Sequence, residues 1–380
     1  MTFPKRVAIF PGILNGRCGG TARSATLHAA MLAEQNIESV IFGLYTKSIP
    51  AAPENLPCGQ AKIRLYPATE FGEYYISKNL LNVLKSEISQ FDIVHLNGHW
   101  NFSNYRIAQI CHQQSIPYII SSRGTRRKYS DAKQDRLMAR LEPFEQLYIE
   151  HATAIHMTSK YELENSNINP DDRRIRLIPN AVDLSGFKPT HSKKEARDIL
   201  GIEKDTPCLL YFGRVIPEKN VEFLIKLISH LPSAPTLNIV GHRNPSYMEK
   251  LLELTKQLGV RDRVNFIDHT EGASRALWLT ACDVFLLPSY GENFSLALVE
   301  AVSMGIKSLV SDQVGAAEYL SPSECTDLPL GDEHLDEWRD TCLSLINTDP
   351  NDADISYKNM LDKFSTDAVF QEWIKLYKTI

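Results

Sequence analysis

Short apolar runs alternate with longer amphipathic stretches along nearly the whole chain, and this alternation limits the folds open to it. RVAIFPG (6–12) precedes a helical pattern from Thr21 to Gln35, and ESVIFGL (38–44) follows. FDIVHLNG, NYRIAQICHQQS and PYIISSRG continue the series between 91 and 124. The second half repeats the logic: CLLYFGRV with VEFLIKLISHL, TLNIVGH with YMEKLLELTKQLG, RVNFIDH with GASRALWLTAC, then DVFLLPS and KSLVSD. Unbroken runs of Val, Ile, Leu and Phe suit strands covered on both faces, so the pattern predicts parallel βαβ units. A chain of 380 residues exceeds one compact core, which predicts two such domains. The join is expected at 184–192, where the strand-like IRLIPN gives way to a polar stretch before the next helix. Near the end, Phe364, Val369, Trp373 and Leu376 or Tyr377 fall at near-helical spacing and predict a packed terminal helix.

The net charge of -5 argues against general nucleic-acid binding. Seven cysteines lie scattered with no CxxC pair, which reads as reduced thiols and a cytoplasmic protein. No stretch has the eighteen or so apolar residues of a spanning helix, and the first residues read as a strand, not a signal peptide.

Two segments carry chemistry. PSYGENFSLALVEAVSMG (288–305) reads as strand end, loop and helix. Gly291 permits a tight turn, Asn293 or Ser295 can cap the helix, and the free N–H groups there attract phosphate. Glu292 would repel a bare diphosphate at that positive end. The pair Glu292 and Glu300 makes better sense with a ligand bearing both phosphates and hydroxyls. The rival reading of Glu292 is a solvated first-turn acid, whereas Glu300, between Val299 and Ala301, needs a partner if buried. LLYFGRVIPEKNVEFLI (209–225) likewise ends a strand at Gly213 and follows it with Arg214 and Lys219, which suit a departing pyrophosphate. Two ordinary surface cations are the alternative.

Together these segments resemble the retaining family 4 glycosyltransferases, whose GT-B fold is α/β, with two Rossmann-like doubly wound domains facing across a cleft. The resemblance rests on Gly213, Arg214 and Lys219, on Glu292 with Glu300, and on LIPNAVDLSGF at the domain junction. IVGH and VNFIDH match strands flanking the family's nucleotide pocket and put Ile267 beside the donor. It implies an N-terminal acceptor-side domain (1–184), a C-terminal nucleotide-sugar domain (185–360) and a terminal helix (361–380) crossing back to the first. The implied activity is a metal-independent, retaining hexosyl transfer from a nucleotide diphosphate sugar to a hydroxyl acceptor. UDP-linked donors are favoured and GDP-linked donors remain open. The sugar nucleotide is a co-substrate, and no cofactor is expected. Arg214 and Lys219 would neutralise the leaving diphosphate with help from N–H groups near Asn293, Phe294 and Ser295. Glu300 would hold the ribose and Glu292 the transferred sugar. Polysaccharide or glycolipid assembly is the implied setting, with a lipid-linked or saccharide acceptor.

The first domain matches less fully. GILNGRCGG offers Gly16, Gly19 and Gly20 without GxGxxG spacing. In DIVHLNGHW, His95 fills the first position of the family's His-x-His-Gly element, Asn97 replaces the second, and His99 follows. Asn97 can hydrogen-bond a sugar hydroxyl but cannot transfer a proton, and His99 is the alternative contact. The stretch 121–140 holds seven Lys/Arg, among them Arg123, Arg126, Arg127 and Lys128, against two Asp. It reads either as a solvated face or as a contact for an anionic acceptor or the inner face of the cell membrane, and Leu137, Leu141, Phe144 and Tyr148 continue it as an apolar stripe. Asp352 and Asp354 look superficially like a DxD metal site but lie in a polar stretch, so no catalytic metal is expected. Two further functions stay in play: a catalytically silent nucleotide-sugar sensor or partner subunit, supported by Asn97, and a nicotinamide-dependent oxidoreductase, which lacks its GxGxxG turn.

Overall fold

The computed structural model describes residues 3–15, 20–71, 74–98, 102–123, 143–188, 190–232, 234–270 and 272–380. Gly16, Gly19, His99, Arg126, Arg127, Lys128, Leu137 and Leu141 lie outside the described residues. The chain forms two compact units: Met1–Ala181 with Thr366–Ile380, and Val182–Ser365.

The first unit is built on a seven-stranded parallel sheet. Its strands are β1 (Arg6–Ile13), β2 (Glu38–Tyr45), β3 (Lys62–Pro67), β6 (Ile93–Asn97), β7 (Tyr118–Ser121), β8 (Ala154–Met157) and β9 (Ile175–Leu177). A separate antiparallel hairpin comprises β4 (Thr69–Phe71) and β5 (Tyr74–Ile76). The sheet order is β3-β2-β1-β6-β7-β8-β9. The strands β6, β7 and β8 are buried along their whole length, as expected for strands covered on both faces. Pro11 cannot donate to the ladder, and the β1–β2 register shifts between Ile9 and Gly12 around it.

The second unit has a six-stranded parallel sheet in the order β12-β11-β10-β13-β14-β15. These are β10 (Cys208–Phe212), β11 (Thr236–Val240), β12 (Val264–Ile267), β13 (Val284–Leu287), β14 (Lys307–Ser311) and β15 (Cys325–Leu328). Leu184 and Phe187, expected in a linker, are buried in this unit's core.

The predicted single terminal helix is two helices, Ala353–Phe364 and Thr366–Tyr377, broken where Ser365 turns to an extended ψ of 158°. Phe364 therefore packs with the second unit's core, and Val369, Phe370, Trp373, Leu376 and Tyr377 with the first unit's. Among the described residues no helix is long and apolar enough to cross a membrane. Six described cysteines are buried free thiols.

Candidate active site

In each sheet the strand order reverses at one place: between β1 and β6 in the first unit, and between β10 and β13 in the second. Loops leaving the carboxyl ends of such neighbouring strands diverge and leave a crevice for ligand. In the second unit those loops are the two segments singled out by sequence.

After β10, Gly213 N–H donates to the Val240 carbonyl at 3.1 Å, and Tyr211 Oη donates to the Arg214 carbonyl at 2.8 Å. Gly241 sits against this turn at φ 156°, and a Cβ there would lie 1.8 Å from the Gly213 oxygen. Only glycine fits so close an approach. Arg214 is exposed. Lys219 ends a short turn, Pro217–Lys219, and its ammonium pairs with the Glu292 carboxylate. Tyr290 N–H donates to the Glu218 carbonyl at 3.0 Å, tying the two loops together.

After β13, Glu292 is fixed by its backbone. Its N–H donates to Gln313 O, and its carbonyl accepts from Gly315 N–H, both at 2.8 Å. Ser295 then caps the helix Leu296–Ser303 by accepting from Leu298 N–H at 3.3 Å. It does so at φ 76°, an uncommon conformation for a non-glycine residue and a store of local strain. Phe294, whose N–H is among those expected at the donor, points its ring into the core, 5.4 Å from Phe364, and its carbonyl accepts from Ala316 N–H. A large apolar side chain gains more from burial than from facing phosphate. Asn293 is partly buried beside it. Ile267, partly buried at the end of β12, accepts from Gly241 N–H at 3.2 Å.

Glu300 is 2% exposed within an otherwise apolar helix. It pairs with Arg275, from the helix Gly272–Ala281, which also stands 4.8 Å over the Phe212 ring. Sequence reasoning missed Arg275, because a single cation on an amphipathic helix carries no sign of what it faces.

The corresponding edge of the first unit is different. Gly20 opens the helix Gly20–Glu34 after β1. His95, on β6, is 1% exposed. Tyr377 Oη lies 3.0 Å from His95 Nε2 and 3.1 Å from His28 Nε2, and Trp373 packs against His28, His95 and His156 at 4.3 to 5.1 Å between ring centroids. His156 Nε2 is 2.8 Å from the Ile178 carbonyl, which only accepts, so Nδ1 is left to accept from Ser121 Oγ at 2.9 Å. Burial, with Arg123 adding to it, pushes His95 down to about 3. Burial and neighbouring His95, His156 and Arg123 hold His28 well below the usual imidazole value, and burial and Arg123 do the same to His156. All three are neutral, and the Tyr377 hydroxyl can give its proton to one imidazole and accept from the other.

Two residues singled out by sequence meet each other here. Asn97 is 4% exposed, and its side-chain oxygen accepts from Arg123 Nε at 3.3 Å, while Asn104 holds its carbonyl. The carboxamide oxygen is thus engaged inside the unit. Arg123 is likewise not part of an exposed basic face. Partly buried at φ 55°, it is clamped by Asn97 and Asn180, and burial pushes it down to about 10. Of the apolar stripe, Phe144 is half exposed and Tyr148 is buried. Asp352 caps the helix Ala353–Phe364, accepting from Ile355 N–H at 3.0 Å. Among the described residues no group of three His, Cys, Asp or Glu is placed to hold a metal ion.

The description Glycosyltransferase Family 4 matches residues 18–185, and Glycosyl transferases group 1 matches 192–358. The chain belongs to the family 4 glycosyltransferases. Within the family it is similar to a D-inositol 3-phosphate glycosyltransferase of Xylanimonas cellulosilytica, 34% identical over 139 residues, which is 35% of this chain and 33% of that one. A protein of the same name from Stackebrandtia nassauensis is 26% identical over 92% of this chain and 85% of its own length. With other relatives of that name the chain spans about half their length. Among solved structures, HepE of Anabaena in complex with UDP and glucose has a TM-score of 0.75 at 16% identity, covering 99% of this chain and 100% of that one. The fold is GT-B.

Proposed function

We propose that the chain is a glycosyltransferase that moves a sugar from a nucleotide diphosphate donor, UDP-linked in preference to GDP-linked, to a hydroxyl acceptor. The observation that carries this is the Lys219–Glu292 pair at the switch point of the second sheet, beside the capped start of the Leu296–Ser303 helix. A diphosphate there would take over Lys219 and meet Arg214, with N–H groups at the helix start stabilising the charge that develops as it leaves. Glu292, released from Lys219, would accept from hydroxyls of the transferred sugar. Glu300 would accept from the ribose. The names of similar proteins support the class: one was solved with UDP and glucose, and others act as glycosyltransferases. Retention of configuration and catalysis without a metal belong to the same proposal, as does a place in polysaccharide or glycolipid assembly at the cytoplasmic side of a membrane.

The test is a transfer assay with Lys219→Ala and Glu300→Ala, each checked for retained fold by circular dichroism. Removal of a group that stabilises the leaving diphosphate should cost about 10²–10³ in turnover. Wild-type turnover in both variants would sink the site assignment.

A further inference from the structure

Glu300 poses a problem that the donor reading alone does not solve. It is almost fully enclosed, and its helix neighbours Val299 and Ala301 are completely buried. An isolated carboxylate in such a place takes up a proton instead of staying charged. A protonated carboxyl is a donor at one oxygen and a weaker acceptor, so it holds two vicinal hydroxyls less well than a carboxylate that accepts one on each oxygen. A strong ribose site built on Glu300 therefore calls for a permanent countercharge nearby.

Arg275 meets that requirement, and its setting shows how. Three elements converge on it: its own helix, the carboxyl end of β10 through Phe212, and the Leu296–Ser303 helix through Glu300. Its Nη2 pairs with Glu300 Oε2, and the guanidinium lies over the Phe212 ring. Nε is buried without a hydrogen-bond partner among the described residues, so it takes no part in a side-on fork on the carboxylate. Its position depends on one ion pair and one cation–π contact. Its guanidinium stays protonated at any working pH.

We infer that Arg275 is the positioning residue of the donor site, keeping the Glu300 carboxylate charged and aimed so that it selects a ribonucleoside diphosphate over its deoxy counterpart. The inference rests on the donor reading above and adds to it a residue and a selectivity. Arg275 acts through Glu300 and need not touch the nucleotide.

The experiment is titration calorimetry of UDP and 2′-deoxy-UDP, with the GDP pair alongside, at about pH 5.5 and about pH 8.5. Wild type should prefer the ribonucleotide by about tenfold or more at both values, the worth of a hydrogen bond to a charged acceptor. In Arg275→Met the Glu300 carboxyl should titrate at higher pH. The preference should then vanish at the acidic value and return in part at the alkaline one. Arg275→Lys restores the charge without the Phe212 stacking and should recover most of the preference at both. Should Arg275→Met not fold, Arg275→Gln makes the same comparison. If Met and Lys variants behave alike, or the Met variant keeps the wild-type preference at both pH values, Arg275 is a packing residue and the inference fails alone. If wild type binds none of the four nucleotides, the donor reading fails and takes the inference with it.

Discussion

The two parallel sheets place different chemistry at their switch points. In the second unit the loops carry a cation–carboxylate pair, a strained helix cap and an exposed arginine, and a second such pair joins the two neighbouring helices. In the first, the polar groups on β6, on the Gly20–Glu34 helix and beyond β7 are used internally: imidazoles on a tyrosine hydroxyl, and an arginine on two amide oxygens. Ion pairs that a ligand can split suit a binding site. Neutral hydrogen-bonded rings closed by tryptophan suit a core. Polar residues beyond a sheet edge are thus not by themselves a sign of function, and the partners they have already engaged decide the matter.

The comparison breaks most readily at Trp373, which touches all three buried imidazoles. Trp373→Ala should destabilise the first unit by about 3–5 kcal/mol, read from thermal melting. Below the melting range it should leave nucleotide binding intact; loss of binding in a folded variant would tie the cluster to the site. Acid stability is the next test. An imidazole held near 3 when folded and 6.5 when unfolded contributes stability above pH 6.5, and loses it as pH falls towards 3. His95→Gln should therefore melt closer to wild type at pH 4 than at pH 7.5. An equal difference at both would show that burial does not hold His95 neutral.

The smallest effect is expected at Ser295. Glycine relieves the positive φ and loses only a few tenths of a kcal/mol of capping, whereas alanine keeps the strain and loses the cap. Ser295→Gly should exceed Ser295→Ala in stability by about 1 kcal/mol. The reverse order would mean that this backbone is not strained.

The second unit's candidate loops could be read from sequence because their signals are local. The strand, glycine and cation sequence of 209–219 and the loop-helix of 288–305 each lie within one βα connection, where the fold dictates which end faces a ligand. Arg275, His28, His156 and the partners of Tyr377 were not legible. Tyr377 meets His28 across 349 positions and His95 across 282, and no local period reports such a meeting. The replacement at Asn97 looked like damage to a sugar contact, because only the folded chain shows Arg123 filling its hydrogen bond. Short strands with polar residues, such as β15 and β8, escaped the apolar pattern, and the break at Ser365 has no proline or glycine to announce it.

The account depends on the second unit's switch point holding a nucleotide diphosphate. Titrating UDP and GDP into wild type, Lys219→Ala and Glu300→Ala tests this most directly, without reference to sugar or acceptor. Wild type should bind at least one of them, with UDP expected to be the tighter, and each variant should weaken that binding by about tenfold or more. No binding by wild type, or affinity undiminished in both folded variants, would contradict it.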